Sequence, residues 1–140
     1  DIARARRVAW TAGGFAGLVM GAIGLVVAVA PELWSRLFTD NAGVLAAARS
    51  YFNNAGPAYG FLGFALALYF ASMGSGRIVG PVLAQTVRLA VIVVGGVWLA
   101  QGDPEPVALF RLVGASLVAY GVAAWLSVYL VRWTPQAKAR

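Results

Sequence analysis

Few side chains in this sequence could take part in chemistry. Its 140 residues include no histidine and no cysteine, so nucleophile–base pairs and soft-metal sites are nearly excluded. The acidic residues are Asp1, Glu32, Asp40, Asp103 and Glu105. All five lie at the amino terminus or in predicted loops, and none pairs with another inside an apolar run. We therefore predict that the protein is not an enzyme and carries no metal and no cofactor.

Arg88 is the residue with the clearest chemical potential. It is the eleventh of about 23 residues in the apolar run from Ile78 to Ala100. If that run crosses a membrane, an arginine at its centre raises the insertion free energy by about 2.5–3.5 kcal/mol, so it should face protein or water. Two interpretations stay open: Arg88 lines a cavity, or it holds backbone carbonyls or a carboxylate of a neighbouring helix. Gln85, on roughly the same helix face, slightly favours the cavity.

Three further polar side chains are candidates for ligand contact. Asn54, next to Asn53, is equally compatible with substrate contact and with hydrogen bonding between helices. Tyr59 and Tyr69 could stack on a flat cationic ligand or hydrogen-bond to it, although aromatic packing between helices is favoured. The complete set of predicted substrate-pathway residues is Asn54, Tyr59, Tyr69, Gln85 and Arg88.

The composition predicts the environment of these residues. Hydrophobic residues make up 61% of the chain and charged residues 11%, whereas a soluble domain carries roughly 25% charged residues. A soluble fold of this size could not bury so much apolar surface, so we predict an integral membrane protein. The apolar runs predict one membrane domain, 1–140, with an all-α fold: a polytopic transmembrane bundle of four helices at about 8–30, 50–75, 78–100 and 107–131.

Small and helix-breaking residues predict how these helices pack and bend. Glycines at 13, 17 and 21 form a smooth stripe on the first helix, which favours ordinary close packing against another helix over a dimer motif. Asp40 or Thr39 is expected to cap a helix that begins near Asn41 and runs on into the second apolar run. We expect a bend at Gly56-Pro57, because proline removes a backbone donor there.

The basic residues predict the orientation in the membrane. They concentrate at the two ends of the chain and between the second and third helices, at Arg4, Arg6, Arg7, Arg77, Arg132, Lys138 and Arg140. The positive-inside rule then places both termini in the cytoplasm of a multi-pass protein of the cell membrane. Trp10, Trp34, Trp98 and Trp133 lie near the predicted interfaces, as expected of an aromatic belt. The net charge of +6 therefore indicates contact with the lipid bilayer and not with nucleic acid.

Three segments together resemble a known family. They are LFTDNAGVLAAARSYFNNAGPAYGF, the later GSGRIVGPVLA, and the ARARR that precedes the first apolar run. They resemble the carboxy-terminal part of multidrug and toxin extrusion (MATE) family transporters, which have twelve helices in two six-helix lobes. The resemblance covers nearly the whole chain as helices nine to twelve, and the topology of the family agrees with the orientation that the charges predict.

The resemblance implies efflux of organic cations or drugs, driven by antiport of Na⁺ or H⁺. The implied partners are the remaining helices of the same transporter and small organic cations. Because the chain begins at Asp1 and not at Met, we expect it to be a fragment, a processed product or an artificially trimmed chain. Some sodium-coupled members use a carboxylate in the tenth helix, but the matching run from Ser50 to Ser75 has none. The site of the coupling ion is therefore expected to lie outside this chain.

Two other functions stay open. One is a lipid-linked oligosaccharide flippase of the same wider superfamily, in which cations such as Arg88 line a central cavity. The other is a stand-alone four-helix membrane protein, either a structural subunit or a small multidrug exporter. Small multidrug exporters need a glutamate inside the membrane, and no apolar run of this chain contains one.

Overall fold

The computed structural model describes residues 2–76, 78–103 and 105–130. Six α-helices follow one another along the chain: α1 Ile2–Val29, α2 Pro31–Ser35, α3 Ala42–Ala55, α4 Tyr59–Gly74, α5 Val79–Ala100 and α6 Pro106–Leu130. A 3₁₀ turn, Gly56–Ala58, joins α3 to α4, and no strand occurs in the described part of the chain. The predicted all-α fold is confirmed.

Four helical segments are long and apolar enough to cross a bilayer. They are Ala3–Val29, Ala42–Gly74, Val79–Ala100 and Pro106–Leu130. The chain is therefore a multi-pass membrane protein. Some predictions rest on residues outside the described ranges. They are the end of the fourth helix at Val131, and the orientation as far as it depends on Arg77, Trp133 and the basic tail.

The first helix begins earlier than the sequence predicted, whereas the second begins where a cap was expected. The first begins at Ile2 and not at residue 8, because its arginines are good helix formers and extend the helix beyond its apolar run. The second segment begins at Ala42, which confirms the prediction of a helix that begins near Asn41 and runs on into the second apolar run. Its 33 residues span about 50 Å, more than a hydrocarbon core of about 30 Å. Its first turns therefore project out of the apolar layer.

Asn41 caps α3, so the predicted cap at Asp40 or Thr39 is wrong. The side-chain Oδ1 of Asn41 accepts hydrogen bonds from the backbone N–H groups of Gly43, at 2.9 Å, and Val44, at 3.2 Å. Thr39 contributes one step earlier, because its Oγ1 accepts a hydrogen bond from the Asn41 N–H at 3.1 Å. Asparagine satisfies two of the free N–H groups of the first turn, which a helix needs to begin at this point.

In space the long helices form a row in the order α1, α4, α6 and α5, which differs from their order in the chain. α1 packs on α3 and α4, α4 packs on α6, and α6 packs on α5. α4 and α5 touch only over a short stretch, although they follow one another in the chain. The buried core lies between α1, α4, α5 and α6 and includes Ala9, Leu68, Ala84, Tyr120 and Ala124.

Glycines bring the backbones of α1 and α4 into contact. A Cβ atom added at Gly24 would overlap the carbonyl oxygen of Gly56, and one added at Gly63 would lie 2.6 Å from the carbonyl oxygen of Ala16. Gly17 and Gly21 lie against Gly60 less tightly, since added Cβ atoms would lie 3.3 Å from its carbonyl oxygen and 3.5 Å from its Cα. The interpretation of the glycine stripe as helix packing is confirmed, and its partner is α4 of the same chain.

The predicted interruption at Gly56-Pro57 is present as the 3₁₀ turn. Pro57 occupies its centre, where the missing N–H prevents an uninterrupted α-helical ladder. Gly56 is fully enclosed by α1, since a Cβ atom at this position would lie 2.7 Å from the Gly24 carbonyl oxygen. The break in the second membrane segment is thus held directly against the backbone of the first.

Candidate functional site

Arg88 lies at the centre of α5. It is the tenth of 22 residues in that helix, which places it near the middle of a bilayer-spanning segment. Its side chain is partly buried, and its Cζ lies 5.9 Å from the centroid of the Tyr120 ring on α6. Its Nε is buried and has no hydrogen-bond partner in the described residues. The aromatic face attracts the guanidinium but leaves its N–H donors unpaired.

Tyr120 presents a second unpaired group beside the first. The residue is 1% exposed, and its hydroxyl is buried without a hydrogen-bond partner among the described residues. A buried donor without a partner destabilises a structure by about 1–3 kcal/mol, and a charged one by more. Two such groups in one place at membrane depth indicate a polar site, which we call the Arg88–Tyr120 site.

Tyr120 lies in a narrow crevice between α4, α5 and α6 that has no room for a water molecule. Tyr120 lines it together with Tyr69 and Leu68 of α4 and Ala84 of α5. Ala84 lies one turn before Arg88 and is 1% exposed, which lets α5 approach α6 closely. Small residues at this crossing therefore bring the α5 arginine onto the α6 ring.

Asn54 and Tyr59 lie in a different place. Asn54 donates from Nδ2 to the Ser50 carbonyl oxygen at 2.8 Å, and its Oδ1 accepts a hydrogen bond from Arg111 Nε at 3.3 Å. This second bond links α3 to α6, so the geometry at Asn54 is that of a contact between helices. Arg111 is exposed on α6, and its guanidinium reaches back to this amide.

Tyr59 takes part in an aromatic cluster. Its hydroxyl donates a long hydrogen bond of 3.5 Å to the Tyr51 hydroxyl. The Tyr51 ring meets Phe110 of α6 edge-on, with ring centroids 5.6 Å apart. Edge-to-face rings at this separation attract one another, and the cluster packs α3 against α6.

The structure thus divides the five predicted pathway residues into groups. Arg88 and Tyr69 both neighbour Tyr120, whereas Asn54 and Tyr59 belong to the α3–α6 contact. Gln85 is exposed on α5 and does not share the environment of Arg88. The sequence analysis did not predict Tyr120 as a site residue. The feature that could have identified it is a tyrosine in the middle of an apolar run that contains several glycines and alanines.

An open apolar groove of about 440 Å³ lies apart from these polar groups. Residues of α1, the 3₁₀ turn, α4 and α6 line it, including Gly17, Pro57, Phe64 and Trp125. It could hold an apolar molecule but offers little hydrogen bonding. The described residues also contain no group of three or more side chains that could hold a metal ion.

No protein-family model, curated protein or solved structure matches the chain.

Replacing Asn54 should weaken the contact between α3 and α6. We expect Asn54→Ala to lower the free energy of unfolding by about 1 kcal/mol, because it removes an amide that bonds to an exposed guanidinium. Unfolding in mixed micelles, followed by circular dichroism, measures this loss. Asn53→Ala is the matched control, since the Asn53 side chain is exposed. Equal losses in the two variants would show that the Arg111 bond contributes nothing.

Proposed function

We propose that this chain is the carboxy-terminal part of a MATE-type secondary transporter that exports small organic cations or drugs. The Arg88–Tyr120 site carries the proposal, because it places unpaired polar groups at the middle of a membrane-spanning bundle. Ionisable residues at that depth are rare and generally belong to substrate or ion pathways. The three segments that resemble MATE transporters support the same function.

The interrupted second segment also supports transport. Secondary transporters commonly build their sites from discontinuous helices, whose irregular backbone is tolerated where protein encloses it. Here the 3₁₀ turn Gly56–Ala58 breaks the segment, and Gly56 and Ala58 are both buried. A helix that served only as an anchor would need neither the break nor its enclosure.

The energy source of this transporter lies outside the described bundle. The four membrane segments contain no aspartate or glutamate, because Glu32, Asp40, Asp103 and Glu105 all lie between them. Coupling to Na⁺ or H⁺ commonly uses a carboxylate inside the membrane. The remaining helices of the proposed transporter would supply that carboxylate.

Efflux of a fluorescent cation tests the proposal. Cells that lack their own exporters would receive the complete gene that encodes this chain and then be loaded with ethidium. We expect faster loss of ethidium than in cells with an empty vector, and the difference should vanish when the proton and sodium gradients are collapsed. Equal rates of loss with and without the gene would contradict organic-cation export.

A lipid-linked oligosaccharide flippase is the second candidate. The fixed positive charge of Arg88 favours it, because arginine stays protonated and attracts the phosphates of such a substrate. If this function is correct, deletion of the gene should cause a lipid-linked oligosaccharide to accumulate on the cytoplasmic leaflet. Ethidium efflux would then be unchanged by the same deletion.

The proposed orientation places both ends of the bundle in the cytoplasm of the cell membrane. Gly74 and Gly102 lie in successive loops or helix ends, both are exposed, and a side chain fits at each. Because the chain has no cysteine of its own, Gly102→Cys and Gly74→Cys can be labelled singly. We expect an impermeant maleimide to label Gly102→Cys from outside and Gly74→Cys only after permeabilisation. The reverse pattern would invert the topology.

A further inference from the structure

We propose that the Arg88–Tyr120 site receives the carboxylate of another transmembrane helix, one that belongs to the same transporter and lies outside residues 1–140. This inference rests on the proposed function, in which further helices surround the described bundle. It identifies the partner of the site by its chemistry: an aspartate or glutamate at the depth of Arg88.

The charges of the chain require such a partner from elsewhere. Within the described residues, Arg88 forms no ion pair and its buried Nε has no acceptor. The acids of the chain lie outside the four membrane segments, so a second copy of the chain would meet Arg88 with the same shortage. An arginine left alone at the bilayer centre is strongly disfavoured, and a carboxylate is its usual partner.

Both unpaired groups of the site are donors. The guanidinium has five N–H bonds and the phenol has one O–H, whereas a carboxylate offers two oxygens that only accept. Arg88 lies over the ring that carries this hydroxyl, so the two groups offer their donors in one neighbourhood. A carboxylate is therefore the simplest single group that satisfies both.

A side chain fits this role better than a transported substrate. The unpaired donors destabilise the protein whenever the site is empty, and a transporter must stay folded between transport cycles. An organic cation would moreover be repelled by Arg88 unless an anion neutralised the guanidinium first. A permanent carboxylate removes both difficulties, because it pairs with Arg88 in the resting protein and leaves the site close to neutral.

The packing of the bundle leaves room for the additional helix. α5 lies at one end of the row of helices, packs chiefly on α6, and meets α4 only over a short stretch. The Arg88 side chain is only partly buried, so another helix can reach it beside α5. Leu83 lies on another face of α5 and is 59% exposed, so we expect that face to contact lipid and not the additional helix.

Photo-cross-linking in the complete protein tests the proposal. Gln85→p-benzoylphenylalanine keeps Arg88 intact and places the probe one turn away, about 60° around α5 from Arg88, where the side chain is exposed and a helix that reaches Arg88 beside α5 would pass. We expect an adduct within the same polypeptide, and the linked peptide should be an apolar one that contains aspartate or glutamate. Leu83→p-benzoylphenylalanine is the matched control and should link no peptide. An adduct without an acidic residue, an adduct to another protein, or no adduct at Gln85 would overturn the inference.

A double-mutant cycle then tests the pairing itself. Arg88→Gln and replacement of the identified acid by its amide should each lower Tm by about 10 °C, because each leaves a buried charge unpaired. The double variant should lose little more than either single one. Additive losses would overturn the pairing. Ethidium efflux is scored separately: a coupled pair without efflux leaves the inference standing and contradicts the proposed function.

Discussion

Gly24→Ala should separate α1 from the rest of the bundle. The added methyl group would overlap the carbonyl oxygen of Gly56, which is backbone and cannot move aside as a flexible side chain can. The 3₁₀ turn and α1 would therefore have to shift apart, which breaks the neighbouring contacts between Gly60 and the glycines of α1. We expect a loss of about 3 kcal/mol in the free energy of unfolding, at the upper end of typical overpacking effects.

Gly14→Ala provides the control for this experiment. It makes the same chemical change in the same helix, but no atom lies within 4 Å of the added carbon. Because alanine favours a helix over glycine by about 1 kcal/mol, this variant should be as stable as the parent protein or more stable. Unfolding of the two variants in mixed micelles measures the difference. If both shift equally, close contact between backbones does not hold α1 in place.

In the proposed transporter, Arg88→Gln should reduce ethidium efflux by at least about tenfold. Hydrogen bonds to a charged group contribute about 1.5–3 kcal/mol, and 1.4 kcal/mol corresponds to a factor of ten. Glutamine keeps a polar side chain but removes the charge that organises the site. Arg88→Lys should restore part of the rate, since lysine keeps the charge but not the planar fork of donors.

The measurement must separate transport from assembly. Efflux is therefore divided by the amount of inserted protein, determined on the same membranes. Gln85→Leu is the matched control, because this side chain lies one turn away on α5 and is exposed. We expect it to leave the normalised rate unchanged. An Arg88→Gln protein with the normalised rate of the parent would remove Arg88 from the transport pathway.

The membrane segments were predictable because each depends on local properties of the chain. Long apolar runs predicted four of them, and Gly56-Pro57 predicted the break, since proline acts on its own helix wherever the helix packs. The helix ends were less predictable. Apolar character marks where a segment enters lipid, whereas Ile2 begins its helix before that point through helix propensity. The start near Asn41 was predicted from the capping residues around it, although the cap is Asn41 itself.

The site was predictable only in part, because it depends on contacts between helices. The position of Arg88 in its run indicated a costly charge, but no pattern within α5 identifies Tyr120 as the residue that faces it. Gln85 was expected on the same face as Arg88, but a small rotation around the helix axis separates the two side chains. Residues three apart differ by about 60° around the axis, enough to leave Gln85 exposed while Arg88 points towards α6. Arg111 likewise reached Asn54, 57 positions away in sequence.

The row of helices has a consequence for how the protein is made. α1 packs on α3 and α4, its successors in the chain, and α5 packs on α6, so each pair can associate as soon as its second member leaves the ribosome. Tyr120 follows Arg88 by 32 residues, which at ordinary rates of synthesis means a delay of about 2–6 s. During that interval the arginine of α5 has no aromatic partner. We therefore expect α5 and α6 to enter the lipid together as a hairpin, so that the Arg88 guanidinium meets the Tyr120 ring on insertion.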